Sequence, residues 1–406
     1  MVRIRISRVF VIISFVALLQ ISGTILLARN LPKADMGFWR LLLTLIEMGT
    51  LFGLLGIDHS FVRFFSPASV SIQEYDWKSF LNKFFILSSA IIFIVSAIAA
   101  SIYKLSLPLT LFLIISAIMS VSVFIFASFL RAKQKYELAI FFSRSNFLIF
   151  FIIFMVIYAL KAITLKTLAI SYLFSIAIAN IVIIHYLLKK TPNGTRPIPR
   201  AVLINGLYYF GMGIAIILML QLGNLTIGKI LSYKDLAVYV VIASVMRLFE
   251  FIQDSSYYVL APHLNQESNI PFKKIFSVIF LVGLITSFLY LLFAKSLVHI
   301  LFAGLYDEGL YLVPFFIGIG FVRTLFVLPA SIIGGKSSEA VLKNQFLLTC
   351  AAASLNFVLI LVFITKWQLR GVALANLISW SLLFIASLFL TKKYIVFTDT
   401  NEAISV

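Results

Sequence analysis

The chain has 406 residues, of which 62% are apolar and only 12% charged, and its mean hydropathy is +1.08. Soluble domains carry about 45–50% apolar and about 25% charged residues, so both departures make lipid the solvent and exclude a soluble enzyme or a disordered chain. A lone cysteine, Cys350, excludes a disulfide-stapled secreted scaffold. Basic residues outnumber acidic ones 33 to 15, a net +18. They lie mostly between apolar runs. The excess therefore reports membrane topology and affinity for anionic headgroups, and no nucleic acid partner is expected.

Crossing the hydrocarbon core takes about 20 apolar residues in a helix. Twelve such runs follow one another: 9–28, 39–63, 82–103, 106–130, 138–160, 165–188, 202–230, 236–262, 274–300, 310–333, 344–365 and 370–391. They are too long for transmembrane strands and do not alternate, so they predict helices. The expected fold is an all-α integral membrane protein with twelve transmembrane helices and no separate extramembrane domain. Arg3, Arg5 and Arg8 precede the first run, as in a signal peptide, but the run ends in Leu27–Ala28–Arg29 without a small-x-small cleavage site. An uncleaved first helix is expected. The N-terminus, even-numbered loops and C-terminus together hold 18 Lys and Arg, against 10 in the odd-numbered loops. That asymmetry puts both termini in the cytoplasm.

The segment Lys189–Arg200, KKTPNGTRPIPR, is the stretch that reads as a linker, with three prolines and a glycine. Six spans lie on each side. This predicts an N-terminal six-helix lobe at 1–190, a cytoplasmic linker at 191–200 and a C-terminal six-helix lobe at 201–406. At an offset of 200 residues, Gly23, Arg29, Leu31, Asp35 and Trp39 meet Gly223, Lys229, Leu231, Asp235 and Tyr239. Each half holds an even number of spans, so the repeats run parallel, related by an axis along the membrane normal.

A charge at a helix centre in the bilayer costs about 2.5–3.5 kcal/mol on insertion scales and calls for a reason. Run 39–63 holds Arg40, Glu47, Asp58 and Arg63. At about 100° per residue, Arg40, Glu47 and Asp58 share one stripe of a continuous helix. Arg247, Glu250 and Asp254 share a face of run 236–262 by the same count. Arg144 and Arg323 stand in apolar context, and Arg323 has no acidic residue within reach on its own helix. Arginine suits phosphate, because its fork donates two parallel hydrogen bonds and keeps its charge when desolvated. Arg40, Arg63, Arg144, Arg247 and Arg323 are therefore the candidate binders of an anionic cargo. A carboxylate in the bundle can bind and release a proton or hold Na⁺, so Glu47, Asp58, Glu250 and Asp254 are the candidate ion-coupling residues. The competing reading is that these charges neutralise each other in the packed bundle, Arg247 against Glu250 or Asp254. The four histidines are scattered without ligand spacing, and no catalytic motif, metal site or cofactor is expected, beyond a coupling H⁺ or Na⁺. Trp39, Trp77 and Trp367 fall near span ends and read as an aromatic belt.

The stretch LLARNLPKADMGFWRLLLTLIEMGTLFGLLGIDHSFVRFFSP (Leu26–Pro67) resembles the start of the polysaccharide-biosynthesis flippases. These belong to the multidrug/oligosaccharidyl-lipid/polysaccharide exporter superfamily. The resemblance lies in the Leu-Pro turn with Asp35–Met36–Gly37, the pair Phe38–Trp39, and Gly56–Ile57–Asp58 before Phe61–Val62–Arg63–Phe64. Gly228–Ser244, followed by Ala261–Pro262, is similar to that family's seventh and eighth helices. The resemblance implies a V-shaped, two-lobed transporter in the bacterial inner membrane. It would move polyprenyl-pyrophosphate-linked oligosaccharide repeat units outward by alternating access, among membrane lipids and beside a polysaccharide polymerase and chain-length machinery. Asn224 stands where family members commonly carry an acid, which either leaves coupling to Glu47, Glu250 or Asp254 or makes coupling different from the family's. A drug or metabolite exporter of the same fold is the alternative; a membrane polymerase or acyltransferase would need a larger polar loop or a catalytic cluster.

Overall fold

The computed structural model describes residues 2–65, 74–133, 135–190, 194–253, 256, 272–336 and 339–402. In chain order the helices are α1 (Val2–Asn30), α2 (Lys33–Leu54), α3 (Ile57–Phe65), α4 (Trp77–Tyr103), α5 (Leu107–Ala132), α6 (Tyr136–Ala159) and α7 (Leu165–Lys190). They continue as α8 (Arg200–Ile230), α9 (Tyr233–Val245), α10 (247–253), α11 (Phe272–Phe302), α12 (Val313–Lys336) and α13 (Glu339–Glu402). A 3-10 turn, Asp307–Leu312, precedes α12. Among the described residues nine helices are long and apolar enough to cross a membrane. The last of these breaks at Gln368 (φ 48°, ψ −128°) and covers the two final predicted runs. Counting α1 and the α9–α10 pair, a helix answers each of the twelve predicted runs, the eighth as far as residue 253.

The repeat is visible in the backbone at the predicted offset. Helix α1 ends at Asn30 and α8 at Ile230; α2 begins at Lys33 and α9 at Tyr233. Met36 N–H donates to Pro32 O at 2.9 Å, and Leu236 N–H to Ser232 O at 3.0 Å. Pro32 presets the turn in the first copy, whereas the Ser232 hydroxyl accepts from Asp235 N–H in the second, an N-cap bond.

Two compact units divide the chain. One comprises Met1–Gly23 and Asn30–Ile214; the other, Thr24–Arg29 and Ala215–Val406. In the first unit, Leu54, Ile57, Phe61, Phe65, Trp77 and Phe129 belong to one buried cluster. Phe61 meets Trp77 edge-on at 4.8 Å, and Trp77 meets Phe129 at 6.0 Å. Lipid is as apolar as these rings, so shape and dispersion hold the helices, favoured by small residues that let backbones approach. Gly53 is such a residue. A Cβ there would lie 2.6 Å from Ile92 Cδ1 of α4 and 2.8 Å from Val121 Cγ2 of α5. Trp39 and Trp77 are 2% exposed, so neither belongs to an aromatic belt; only Trp367 of the three is exposed.

In the second unit Ile279, Leu325, Leu328 and Ile332 form a core seam between α11 and α12. The C-terminal end of α11 is closed by a residue far away in sequence. Arg29 Nε donates to Leu301 O at 2.7 Å, and Arg29 Nη2 to Ile300 O. These are carbonyls that a helix C-terminus leaves without partners, and a cation there also suits the helix dipole. Beside them Tyr306 is buried, and burial with nearby Glu308 pushes its hydroxyl up to about 12.

One predicted helix is broken. Run 39–63 splits at Leu55 (φ 51°) and Gly56 (φ 67°) into α2 and α3. A Cβ on Gly56 would fall 2.1 Å from Gly206 O and 2.5 Å from Phe210 N. The break thus serves a close backbone approach between α2–α3 and the start of α8, where Ser60 Oγ also donates to Val202 O. Both sides lie within the first unit. Gly56→Ala is expected to lower the melting temperature of the purified protein, since the left-handed conformation alone costs about 1–2 kcal/mol for an L-residue. Gly213→Ala, whose Cβ would meet only the end of the Leu51 side chain at 3.2 Å, should melt close to the parent.

Candidate functional site

Polar groups converge inside each unit. In the first, Arg40 and Glu47 sit on α2, two turns or about 10 Å apart along the axis. The side chains close that gap, bringing Arg40 Nη1 to 3.6 Å from Glu47 Oε1. Arg40 Nε is buried without a hydrogen-bond partner. The Glu47 charge also acts on the Tyr172 hydroxyl of α7, as do the polar side chains of Ser120 on α5 and Asn146 on α6. Four helices thus meet at one phenol. Trp39, Phe112 and Phe150 wall it, with ring centroids 6.1, 6.0 and 5.9 Å from that of Tyr172. Asn146 Oδ1 and Ser116 Oγ are buried here without partners. Nearby, Asn180 Nδ2 donates to Ile176 O at 2.8 Å and to Met119 O at 3.1 Å, and Ser122 bonds its carbonyl oxygen.

In the second unit Arg323 of α12 points at α10, its Nη1 3.5 Å from Glu250 Oε1. Its guanidinium lies over the Trp380 ring at 5.4 Å. One turn beyond Glu250, Gln253 Nε2 donates to Gly320 O at 3.2 Å and Thr324 Oγ1 at 3.3 Å. A separate buried chain runs from Asn356 Nδ2 to Asn376 Oδ1 (2.7 Å) and from Asn376 Nδ2 to Tyr239 Oη (3.0 Å). Asn224, the departure noted in the sequence, donates from Nδ2 to Gln221 Oε1 at 2.6 Å.

Both arginine–carboxylate contacts are longer than the 2.7–2.9 Å of a charge-assisted hydrogen bond. In both, the carboxylate is the more open partner: 40% exposed for Glu47 against 20% for Arg40, and 52% for Glu250 against 19% for Arg323. The geometry offers guanidinium donors that a ligand anion reaches by displacing a carboxylate, or carboxylates that a proton or cation reaches directly.

The predicted site residues fare unequally. Arg40 with Glu47, and Arg323 with Glu250, are brought together. Asp58 does not continue the α2 stripe, because the chain turns at Leu55–Gly56. It opens α3 instead, 3.5 Å from His59 Nε2. Glu250 meets Arg323 of α12 across helices, a contact not visible from its own run. Arg144 on α6 and Arg247 on α10 are half-buried. Asp254 and the Arg63 side chain lie outside the described residues. Tyr172, Gln253 and Trp380 escape a sequence search, because single polar groups in apolar runs look like packing. Among the described residues no three His, Cys, Asp or Glu side chains cluster closely enough to hold a metal ion.

No family model and no curated protein sequence matches the chain. Solved structures do. A multidrug resistance MATE family transporter of the MOP superfamily in its inward-facing conformation superposes with a TM-score of 0.65 at 13% identity, over 95% of this chain and 96% of that one. An outward-facing conformation of such a transporter gives 0.65 at 14% identity, over 97% and 96%. A mutant of the Vibrio cholerae MATE transporter VcmN gives 0.67 at 11% identity, over 96% and 94%. The chain has their fold from end to end, and at such identities the likeness speaks to fold alone.

Asn376→Leu should destabilise the purified protein by about 1–3 kcal/mol for each buried partner left unsatisfied, read as a fall in melting temperature. Tyr239→Phe combined with it should add little further, because the two act as one network.

Proposed function

We propose that the chain is a secondary transporter that exposes its interior alternately to the two sides of the membrane. The observation that carries this is the fold shared along its whole length with transporters solved in both inward- and outward-facing conformations. In this reading the two six-helix repeats rock in alternation. The membrane is a bacterial inner membrane with both termini cytoplasmic. Parallel repeats with a site between them near the midplane work in this way.

The cargo is an amphiphile bearing an anionic group, taken up by Arg323 and Arg40, with a proton or Na⁺ on Glu47 or Glu250 as driving ion. Export of drugs or metabolites is the reading that the structural neighbours favour, since two of them are described as multidrug resistance transporters. A second, narrower reading is a flippase for polyprenyl-pyrophosphate-linked oligosaccharides. The motif-like stretch Leu26–Pro67 and the five intramembrane arginines favour it.

Two assays separate them. On the first reading, expression in a pump-deficient bacterium raises tolerance to amphipathic anionic toxicants. On the second, expression restores surface polysaccharide in a strain lacking its own flippase. In either assay Arg323→Ala and Arg40→Ala should abolish the effect while the protein still inserts. Full activity of both variants would contradict the anionic-cargo assignment.

A further inference from the structure

We propose that Glu250 competes with the cargo for the Arg323 guanidinium, so that an anion binds this site together with a proton. The proposal rests on the anionic-cargo reading and adds what controls the site. It concerns a phosphate- or pyrophosphate-bearing ligand, whether metabolite or lipid-linked.

Three features of the second unit carry it. First, the ion pair is loose and open. The 3.5 Å contact is beyond charge-assisted hydrogen-bond length, and the Glu250 side chain is 52% exposed. A loose pair forms a weak competitor that a better-fitting oxyanion displaces. Second, the guanidinium has an anchor other than Glu250. Trp380 stacks beneath it at 5.4 Å and is itself fixed against Phe326, ring centroids 5.8 Å apart. Contact with a ring face uses none of the five N–H donors, so the fork remains available to an incoming ligand. Third, the spacing of α10 and α12 does not depend on the ion pair. Gln253 holds Gly320 O and Thr324 Oγ1, and Phe249 packs so closely on Gly320 that a Cβ there would lie 2.5 Å from its ring. Glu250 can therefore release Arg323 while the helices stay in place.

The charges around Glu250 fit this role. Arg323 faces it from α12, and Arg247 precedes it by one turn on α10. From α11 comes Tyr290, whose hydroxyl feels the Glu250 charge but is committed to Val245 O at 2.6 Å. With Glu250 ionised, an arriving anion leaves two negative groups beside one guanidinium. A proton drawn from water onto Glu250 removes the competitor. Anion and proton then strengthen each other's binding, and linkage makes the effect reciprocal. A proton bound with the cargo at Glu250 would leave with it, so the inward-moving ion that drives export is then the one held at Glu47.

The test is calorimetric titration of the purified full-length protein with farnesyl pyrophosphate, between about pH 5 and pH 8, in buffers of different ionisation enthalpy. Comparison with Glu250→Gln removes the probe's own titration. Wild-type affinity should rise about tenfold as the pH falls, with proton uptake beyond that of the variant. Glu250→Gln should show only the probe's own pH dependence. Glu250→Asp, with a shorter reach to Arg323, should bind more tightly than wild type at the upper end of the range. Identical pH dependence and proton uptake in wild type and Glu250→Gln would overturn the competition, as would weaker binding by Glu250→Asp at that end. Undiminished binding by Arg323→Ala would instead overturn the anionic-cargo reading itself.

Discussion

The hydrocarbon core of a bilayer offers neither hydrogen bonds nor solvation, and that constraint governs this protein at every scale. Backbone groups must be satisfied within their own segment, so helix follows helix along the described chain. Charged side chains must find partners inside the protein. Arg40 turns along α2 to Glu47, and Arg323 reaches across to Glu250 on a neighbouring helix. Helix ends obey the same rule: the last carbonyls of α11 receive Arg29 from the end of α1. Hydrophobic burial cannot drive helix association in such a solvent. Close approach at Gly53 and Gly56 and the aromatic contacts around Trp77 and Tyr172 take its place.

Much of the architecture was legible in the sequence because the bilayer imposes a length on apolar runs. As far as the chain is described, the twelve runs fall on helices, and the offset of 200 residues reappears as matched helix ends at Asn30 and Ile230. What escaped was decided by single residues. A left-handed residue at Leu55 leaves no trace in a hydropathy profile, yet it ends α2 and removes Asp58 from the stripe that a continuous helix implies. Trp39 and Trp77 were expected at the interfaces because the belt and an aromatic core use the same residue type; both are buried. Arg323 has no acid on its own helix, so its partner became visible only once α10 and α12 lay side by side.

The arrangement of charge bears on function through exposure as well as identity. In each unit the arginine is the sheltered member and the carboxylate the open one. Neutralisation in pairs, the competing reading of these charges, is present at Arg40 with Glu47 and Arg323 with Glu250 among the described residues. It does not close the site, because both pairs are long and half in the open. A structural ion pair in the packed interior would need short contacts and added hydrogen bonds to offset desolvation. These pairs hold two charges ready at modest electrostatic cost, which suits groups that exchange partners.

Glu250 and Ile285 are both about half exposed, yet the first must meet water and the second lipid. Cysteine accessibility in membranes reads this directly, after Cys350→Ser removes the native thiol. Glu250→Cys should react with a charged, water-soluble thiosulfonate, and Ile285→Cys should remain unlabelled. Labelling of the Ile285 variant with none at the Glu250 variant would place the carboxylate against acyl chains, and the wet, charge-lined interior argued for here would not exist.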